Sequence, residues 1–495
     1  MNTSFNLASS NLNTYRQSLT AQDGVEYGLV QSEAGPRLAV LADPDSLTKA
    51  GFRGESSSYN YQTLVLCPLS AYNATRLRTQ LPWLQPVPLG LDTSAGLGDR
   101  LGLATPGHIR AVRAVGGKIS PIFAQQSMRE MARTGRNPQL VMDNATWGIF
   151  QEGWQAGVGA DADHLKIPAD IDICLAAGFT FFTIDPGGHV DNRAETATPG
   201  QLRELAEQLP SEIRPGASGL HGKTFQIEHL TIIFDEITLL RAAVKYGKAI
   251  VHVAAMYQHL VQSAGDQPFE LEVSVDETDQ PTSHAEHIYF ASQLKRLGVE
   301  WVSLAPRYIG RFEKGVDYIG DIAALEDDLA GHAAIARHFG PYKLSLHSGS
   351  DKFSVYPPAM RQTRGLVHLK TAGTSYLEAL RTIAAVDIDL FKEIYNFARD
   401  HYEVDKVTYH VSGEVARAPH PDSVTDWAGL LEQFDAREIL HITFGSVLTE
   451  KTRSGERRFY DRFFAVLNSN PEAYWQNLQT HFERHLIPFT GAEQI

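Results

Sequence analysis

From about residue 100 the chain repeats one unit: a short apolar strand, a polar or Gly-rich tip, then an amphipathic helix. The candidate strands are "LGLAT" (101–105), "ISPIFAQ" (119–125), "VGADAD" (158–163) and "FTFFTID" (179–185), followed by "FELEVSVD" (269–276), "WVSLAPR" (301–307), "YKLSLHS" (342–348) and "LVHLKTA" (366–372). Helical patterns separate most of them. "PTSHAEHIYFASQLKRLG" opens with Ser283 and Glu286 at capping-box spacing and ends at Gly298, and "DIAALEDDLAGHAAIARHFG" runs from an aspartate N-cap to Gly340. Strands alternating with helices pair in parallel, so eight of them predict an α/β fold of the (β/α)8 TIM-barrel type. A doubly wound open sheet would show the same local pattern, but no Gly-rich dinucleotide fingerprint follows any strand.

The spacing divides the chain further. Residues 1–95, with pieces such as "TLVLCPLSAYN", are expected to form a separate N-terminal α/β lobe. The barrel is expected over 96–373, with an insertion at about 186–265 that includes a helical run from about Thr231 to Gln262. Residues 374–495 read as a mainly helical extension holding two strand-like islands, "KVTYHVS" and "ILHITFGSV".

Composition excludes several classes of function. A formal charge of −14 argues against nucleic acid as a partner, because phosphate binding needs clustered cations. Cys67 and Cys174 are too few for a disulfide framework or a thiolate metal site. The start, "MNTSFNLASS", has neither the basic end nor the apolar core of a signal peptide, and no apolar run nears the ~20 residues that span a bilayer. A cytoplasmic protein with a small-molecule partner and no membrane partner is expected; an oligomer of identical chains is compatible with this.

The strand tips carry the chemistry. Along a barrel strand, side chains alternate between the interior and the helix layer. In "FELEVSVDE" Leu271, Val273 and Val275 suit the helix layer, which turns Glu270, Glu272, Ser274 and Asp276 inward. The same alternation turns Lys343, Ser345 and His347 inward from strand seven, His368 and Lys370 from strand eight, and Asp161 and Asp163 from strand three, with His164 and Lys166 in the loop that follows. Active sites of such barrels form at the C-terminal strand ends. Carboxylates and imidazoles converging there suit a divalent cation such as Mn, Zn, Ni or Co. A single inward Asp or His also serves as a paired core residue, so the case rests on several strands acting together. Gln125, Ser127 and Glu130 of "FAQQSMRE" and Arg307 and Lys314 of "LAPRYIGRFEKGVDYIGD" fit substrate contact, with a solvated loop the favoured alternative for Arg311, Lys314 and Asp317.

Six segments in order, "GADADHLK", "FTFFTIDP", "SVDETDQPTSHAEH", "LAPRYIGRFEKGVDYIGD", "LSLHSGSDKFSVYP" and "HLKTAGTSYLEALR", resemble the tagaturonate epimerases, over roughly residues 95–450. Those proteins act in bacterial hexuronate catabolism, and some relatives interconvert fructose and tagatose at C4. The resemblance implies a metal-dependent barrel enzyme that inverts one hydroxyl-bearing carbon of a ketose or ketose acid. That carbon lies β to the ketone, so its hydrogen is not acidic. Retro-aldol cleavage, rotation and re-addition is then favoured over transient oxidation by a nicotinamide. A metal-dependent sugar aldolase or ketose isomerase, or a non-catalytic sugar-binding subunit, are the alternatives.

The inward-face pattern then assigns roles. Asp163, Glu272, His347 and His368 are the expected metal ligands, with His164 the substitute for one of them. Glu130 or Asp276, and after them Asp161, are the expected acid/base groups. Gln125, Ser127, Lys166, Asp185, Arg307, Asp351, Lys352 and Lys370 are expected around the substrate, with Arg307 holding its carboxylate in two parallel hydrogen bonds.

Overall fold

The computed structural model describes residues 7, 12–33, 35–371 and 373–490. Eight parallel strands close into one barrel: β1 (Ser94–Gly96), β2 (Ser120–Ser127), β3 (Gly159–Leu165), β4 (Phe181–Ile184), β5 (Glu270–Ser274), β6 (Ser303–Ala305), β7 (Lys343–Leu346) and β8 (Val367–Lys370). Closure comes from β8 pairing with β1, His368 opposite Ser94. Seven strands fall where alternation places them. The first does not: "LGLAT" is a loop running into the helix Thr105–Val115, and the closing strand is "SAG", just before it. Three small residues carry no apolar alternation, so nothing marks them as a strand.

Helix starts follow the expected caps. Ser283 and Glu286 form a reciprocal capping box on His284–Arg296, and the Asp321 carboxylate accepts from Ala323 N and Ala324 N at the head of Ile322–Phe339. The excursion after β4 holds the helix Pro199–Glu207, an antiparallel hairpin (Thr224–Ile227 with Leu230–Ile233) and the 29-residue helix Glu236–Ala264. This last helix packs between Pro168–Ala177 and His284–Arg296, so the excursion ends as the barrel's own helix between β4 and β5. No helix among the described residues is long and apolar enough to cross a membrane.

The N-terminal part is a six-stranded antiparallel sheet over residues 13–67, backed by the helix Pro44–Ala50 and followed by the helix Ala71–Gln80. Arg78 of that second helix joins Asp143 of the barrel helix Pro138–Gln151 at 3.0 Å. The barrel floor is plugged from the same side, where the Glu270 carboxylate accepts from Leu89 N and Gly90 N at 2.8 and 2.7 Å.

After β8 the chain is helical, and the two islands are not strands. "KVTYHVS" is a 3-10 turn and an extended loop, and "ILHITFGSV" spans two helices, Phe434–Ile442 and Phe444–Thr449. The closing helix, Pro471–Leu486, lies along Thr105–Val115, fixed by Trp475 Nε1 donating to Leu103 O at 3.0 Å. A Cβ at Gly107 would crowd Leu478 Cβ at 2.7 Å, so glycine permits this close approach.

The extension is also pinned to the loop after β6. Glu313 accepts from Ser412 N and Oγ at 2.8 and 2.7 Å, while Glu438 accepts from Gly413 N at 2.6 Å. Burial, and then the neighbouring Glu313 carboxylate, push Glu438 up to about 8. The folded chain therefore keeps a proton that the unfolded chain releases above about 4.5. Stability should fall as pH rises through this window, by up to about 1.4 kcal/mol per pH unit. Glu438→Gln cannot ionise, so its Tm should decline less than wild type between pH 5 and 9. Parallel Tm profiles would show that the pair does not titrate in this range.

Candidate active site

Strands β3, β4, β5 and β8 each turn a polar side chain onto one point. The Lys370 ammonium lies 2.8 Å from Asp161, 2.7 Å from Asp163 and 2.8 Å from Glu272, and donates to Thr183 Oγ1 at 2.6 Å. An ammonium has three N–H bonds for these four oxygens, so one contact is ionic without a hydrogen bond. Burial alone would lower Lys370, but the three carboxylates raise it well above its ordinary value. One cation against three carboxylates leaves a deficit of positive charge. Asp161 answers by rising to about 7, through burial and its neighbours Asp163 and Glu272.

Two imidazoles meet the remaining deficit. His164 Nδ1 lies 2.7 Å from Asp163, and His347 Nε2 lies 2.7 Å from Glu272. Asp276 sits between the two rings, 3.6 Å from His164 Nε2 and 3.3 Å from His347 Nδ1. Burial opposes charging either ring, yet the facing carboxylates raise both. Conversely burial would raise Asp276, and His347 and His164 instead hold it well below the carboxylate range. Backbone strain accompanies the arrangement: His164 (φ 57°), Ser348 (φ 48°) and Asp351 (φ 63°) are left-handed without being glycine. Such residues cost of order 1 kcal/mol or more each and gather where a side chain must be aimed.

Asp163, His164 and His347 each bring a ligand atom to within 4.8 Å of the others. His164 Nε2 is buried and has no hydrogen-bond partner among the described residues. One carboxylate and two imidazoles around a strongly negative point fit a borderline divalent cation. Glu272 stands behind His347, where it orients the ring. His368 stands apart, one layer deeper, its Nδ1 2.8 Å from Ser94 Oγ and its ring against Phe181.

Above this cluster a cavity of about 110 Å³ is walled by Glu277, Arg307, Tyr308, Lys314, Tyr409 and His410. A second cavity, which shares Asp276, Glu277, Lys314 and His347 with it, reaches down to Gln125, Asp163 and Lys370. Lys314 is therefore not a solvated loop residue; it faces both cavities, and burial lowers its pKa. Glu277, Tyr308, Tyr409, His410 and His441 were not indicated by the strand-tip argument. Glu277 merely follows Asp276, whereas Tyr409, His410 and His441 come from segments that read as strands outside the barrel.

Glu130, Ser127, Asp351 and Lys352 take partners away from this cluster, whereas Asp185 stays beside it, with ligand atoms of His164 and Glu277 within 4.8 Å. Glu130 is locked in a buried ion pair with Arg100, which stacks on Phe444 at 3.7 Å, and Ser127 caps the Glu130 helix. Lys166, largely exposed, pairs with Asp185 at 3.1 Å, and Asp185 accepts from Gly187 N at 2.8 Å. Asp351 turns to the C-terminal extension, 3.0 Å from Arg437 and 3.1 Å from His481. Lys352 Nζ donates to the carbonyls of Glu313, Val316 and Ser350 at 2.6, 2.5 and 3.0 Å. Gln125 remains at the site, donating to Asp163 at 3.3 Å.

Removing the central cation should cost more than its own contacts, because three buried carboxylates lose their partner. Lys370→Met is expected to lose about 3–5 kcal/mol against urea. A loss below about 1 kcal/mol would mean that the carboxylates are neutralised by another group.

The whole chain can be compared with known proteins. The sequence profile of the tagaturonate epimerase family matches residues 15–488. A tagaturonate/fructuronate epimerase of Thermotoga maritima is 43% identical over 482 residues, 96% of this chain and 97% of that one. Crystal structures of the fructuronate-tagaturonate epimerase UxaE from Cohnella laeviribosi, native and with one glycerol, superpose with a TM-score of 0.91 at 39% identity, covering 98% of this chain and 97% of theirs. With a closed barrel, an acidic mouth and this likeness along nearly its full length, the chain belongs to the tagaturonate epimerase family and is an isomerase of the carbohydrate-epimerase class.

Proposed function

We propose that the chain interconverts tagaturonate and fructuronate at the barrel mouth, by retro-aldol cleavage and re-addition. The observation that carries this reading is the end-to-end match to relatives named for that pair of sugars, 43% identical in one case. Inversion β to a ketone requires a hydroxyl proton to leave and return. The bond between the α and β carbons breaks, its electron pair passing to the ketone oxygen while the β carbon becomes an aldehyde. Rotation of the aldehyde and re-addition to its other face restore the bond and the proton.

The chain's residues divide this work. Asp276 borders both cavities and is 19% exposed, which places its carboxylate to accept the hydroxyl proton. Lys370 fixes Asp163, and Glu272 orients His347. Asp163, His164 and His347 are the residues that would hold a divalent ion, and such an ion would polarise the ketone. Arg307 has a buried Nε without a hydrogen-bond partner among the described residues, and with Lys314 it offers the substrate carboxylate two cations. Tyr308 and Phe312 close the wall between them.

The purified protein should form fructuronate from tagaturonate, lose the activity on chelation and regain it with added divalent ion. Asp276→Asn should lower kcat by roughly 100–10,000-fold at unchanged metal content. No turnover of tagaturonate under any metal would reject the assignment, and a near-wild-type rate in the variant would remove Asp276. A separate measurement tests the carboxylate site. Arg307→Ala should cut kcat/KM for tagaturonate by about 10–100-fold, the worth of one or two charge-assisted hydrogen bonds. The loss on the neutral ketose tagatose should be only a few-fold; equal losses would make the arginine structural.

A further inference from the structure

A second set of metal-type donors lies outside the barrel, behind the wall of the mouth. Asp328 and His332 are one turn apart on the helix Ile322–Phe339, and His284 is the first residue of the neighbouring helix His284–Arg296. His284 Nε2 and His332 Nε2 lie 3.5 and 3.6 Å from the same oxygen, Asp328 Oδ1. Ligand atoms from all three residues fall within 4.8 Å of one another. Tetrahedral zinc, with bonds of about 2.0–2.1 Å, sets its ligand atoms roughly 3.4 Å apart.

Two independent features point at a ligand here. The first is His332: its side chain is fully buried, yet Nε2 has no hydrogen-bond partner among the described residues. Its other nitrogen, Nδ1, lies 2.8 Å from His287 Nδ1, and His287 Nε2 lies 2.7 Å from Tyr342 OH. Two ring nitrogens in contact share one proton. If His332 Nδ1 donates it, His287 passes its own Nε2 proton to Tyr342 and His332 Nε2 keeps a free lone pair. The opposite tautomer would bury an N–H that makes no hydrogen bond among the described residues, at a cost of about 1–3 kcal/mol. Asp328 Oδ1, at 3.6 Å, and the Thr282 carbonyl are the acceptors beside it. A neutral imidazole whose far nitrogen is oriented by a second shell is the form that binds metal.

The second feature is Gly331. It lies inside the helix, where glycine costs about 1 kcal/mol relative to alanine. A Cβ at this position would overlap His284 Nε2, so the glycine makes the space in which that nitrogen sits, 3.2 Å from the Asp328 carbonyl and 3.5 Å from its carboxylate.

We propose that His284, Asp328 and His332 form a second divalent-cation site of the zinc type, which braces the loop after β6. His284 and Asp328 remain 24% and 13% exposed, so water can complete the coordination from outside. The bracing follows from Asp328 Oδ2, which accepts from Ile309 N at 3.3 Å, and from Tyr318 OH, which donates to Ile309 O at 3.2 Å. The same loop carries Arg307, Tyr308 and Lys314 to the mouth, and the Tyr308 ring lies 5.7 Å from that of His332.

The test is zinc stoichiometry of the full chain after equilibrium dialysis, by elemental analysis. His284→Ala should hold one equivalent less than wild type, whether or not the mouth also binds zinc. Gly331→Ala, which keeps all three ligands and favours the helix, should lose the same equivalent with Tm unchanged or raised. Crystals grown with zinc should show an anomalous peak between the three residues. Equal zinc content in wild type and both variants, or no peak at this position, overturns the proposal.

Discussion

The Lys370 ammonium is the contact on which the rest of the mouth depends. Asp161, Asp163 and Glu272 come from two strands that do not adjoin β8, so their approach requires a closed barrel in one register. A slip of one residue in β3, β5 or β8 would turn the charged group into the apolar helix layer. Burial of three carboxylates is tolerable only with cations in place, and Lys370, His164 and His347 supply them. A divalent ion would replace the protons that this negative field draws onto the two imidazoles.

Much of that arrangement was legible in the sequence, because period-two alternation fixes which residues face inward. It placed Asp161, Asp163, Glu272, His347 and Lys370 in the interior, and the structure brings all five within one hydrogen-bonded cluster. Alternation says nothing about height along the barrel axis. Hence His368 pointed inward as read, yet sits a layer below, against Ser94. It also says nothing about partners beyond the strand tip. Glu130, Asp351 and Lys352 follow strand ends as substrate-contacting residues would, but Arg100, Arg437 and backbone carbonyls claim them.

The least legible part is the roof. Tyr409, His410 and His441 belong to the extension after the barrel, and their local pattern mimics strands. Their position is set by long-range ties: Glu313 to Ser412, and Asp351 to Arg437 and His481. Each tie joins a barrel loop to a segment about 90–130 residues further on, and no local propensity encodes it. The first barrel strand was missed for a related reason, since three small residues are held there by their neighbours' hydrogen bonds and not by their own side chains.

The charges of the mouth also set the direction in which a sugar acid enters. The lower wall holds Asp163 and Asp276, with Asp161 and Glu272 buried behind it, four carboxylates against Lys370 and two imidazoles. A substrate carboxylate placed there would face like charges in a buried site. Arg307 instead lies on the upper wall, and Lys314, which borders both cavities, stands between the two; both belong to the loop after β6. On the proposed reading the carboxylate therefore stays at the upper wall while the ketone and the carbon to be inverted descend to Asp276 and the His164–His347 pair. The polarity of the mouth thus selects one orientation of a molecule whose two ends differ mainly in charge. Loss of the upper cations would leave the lower chemistry intact but remove the force that points the substrate at it.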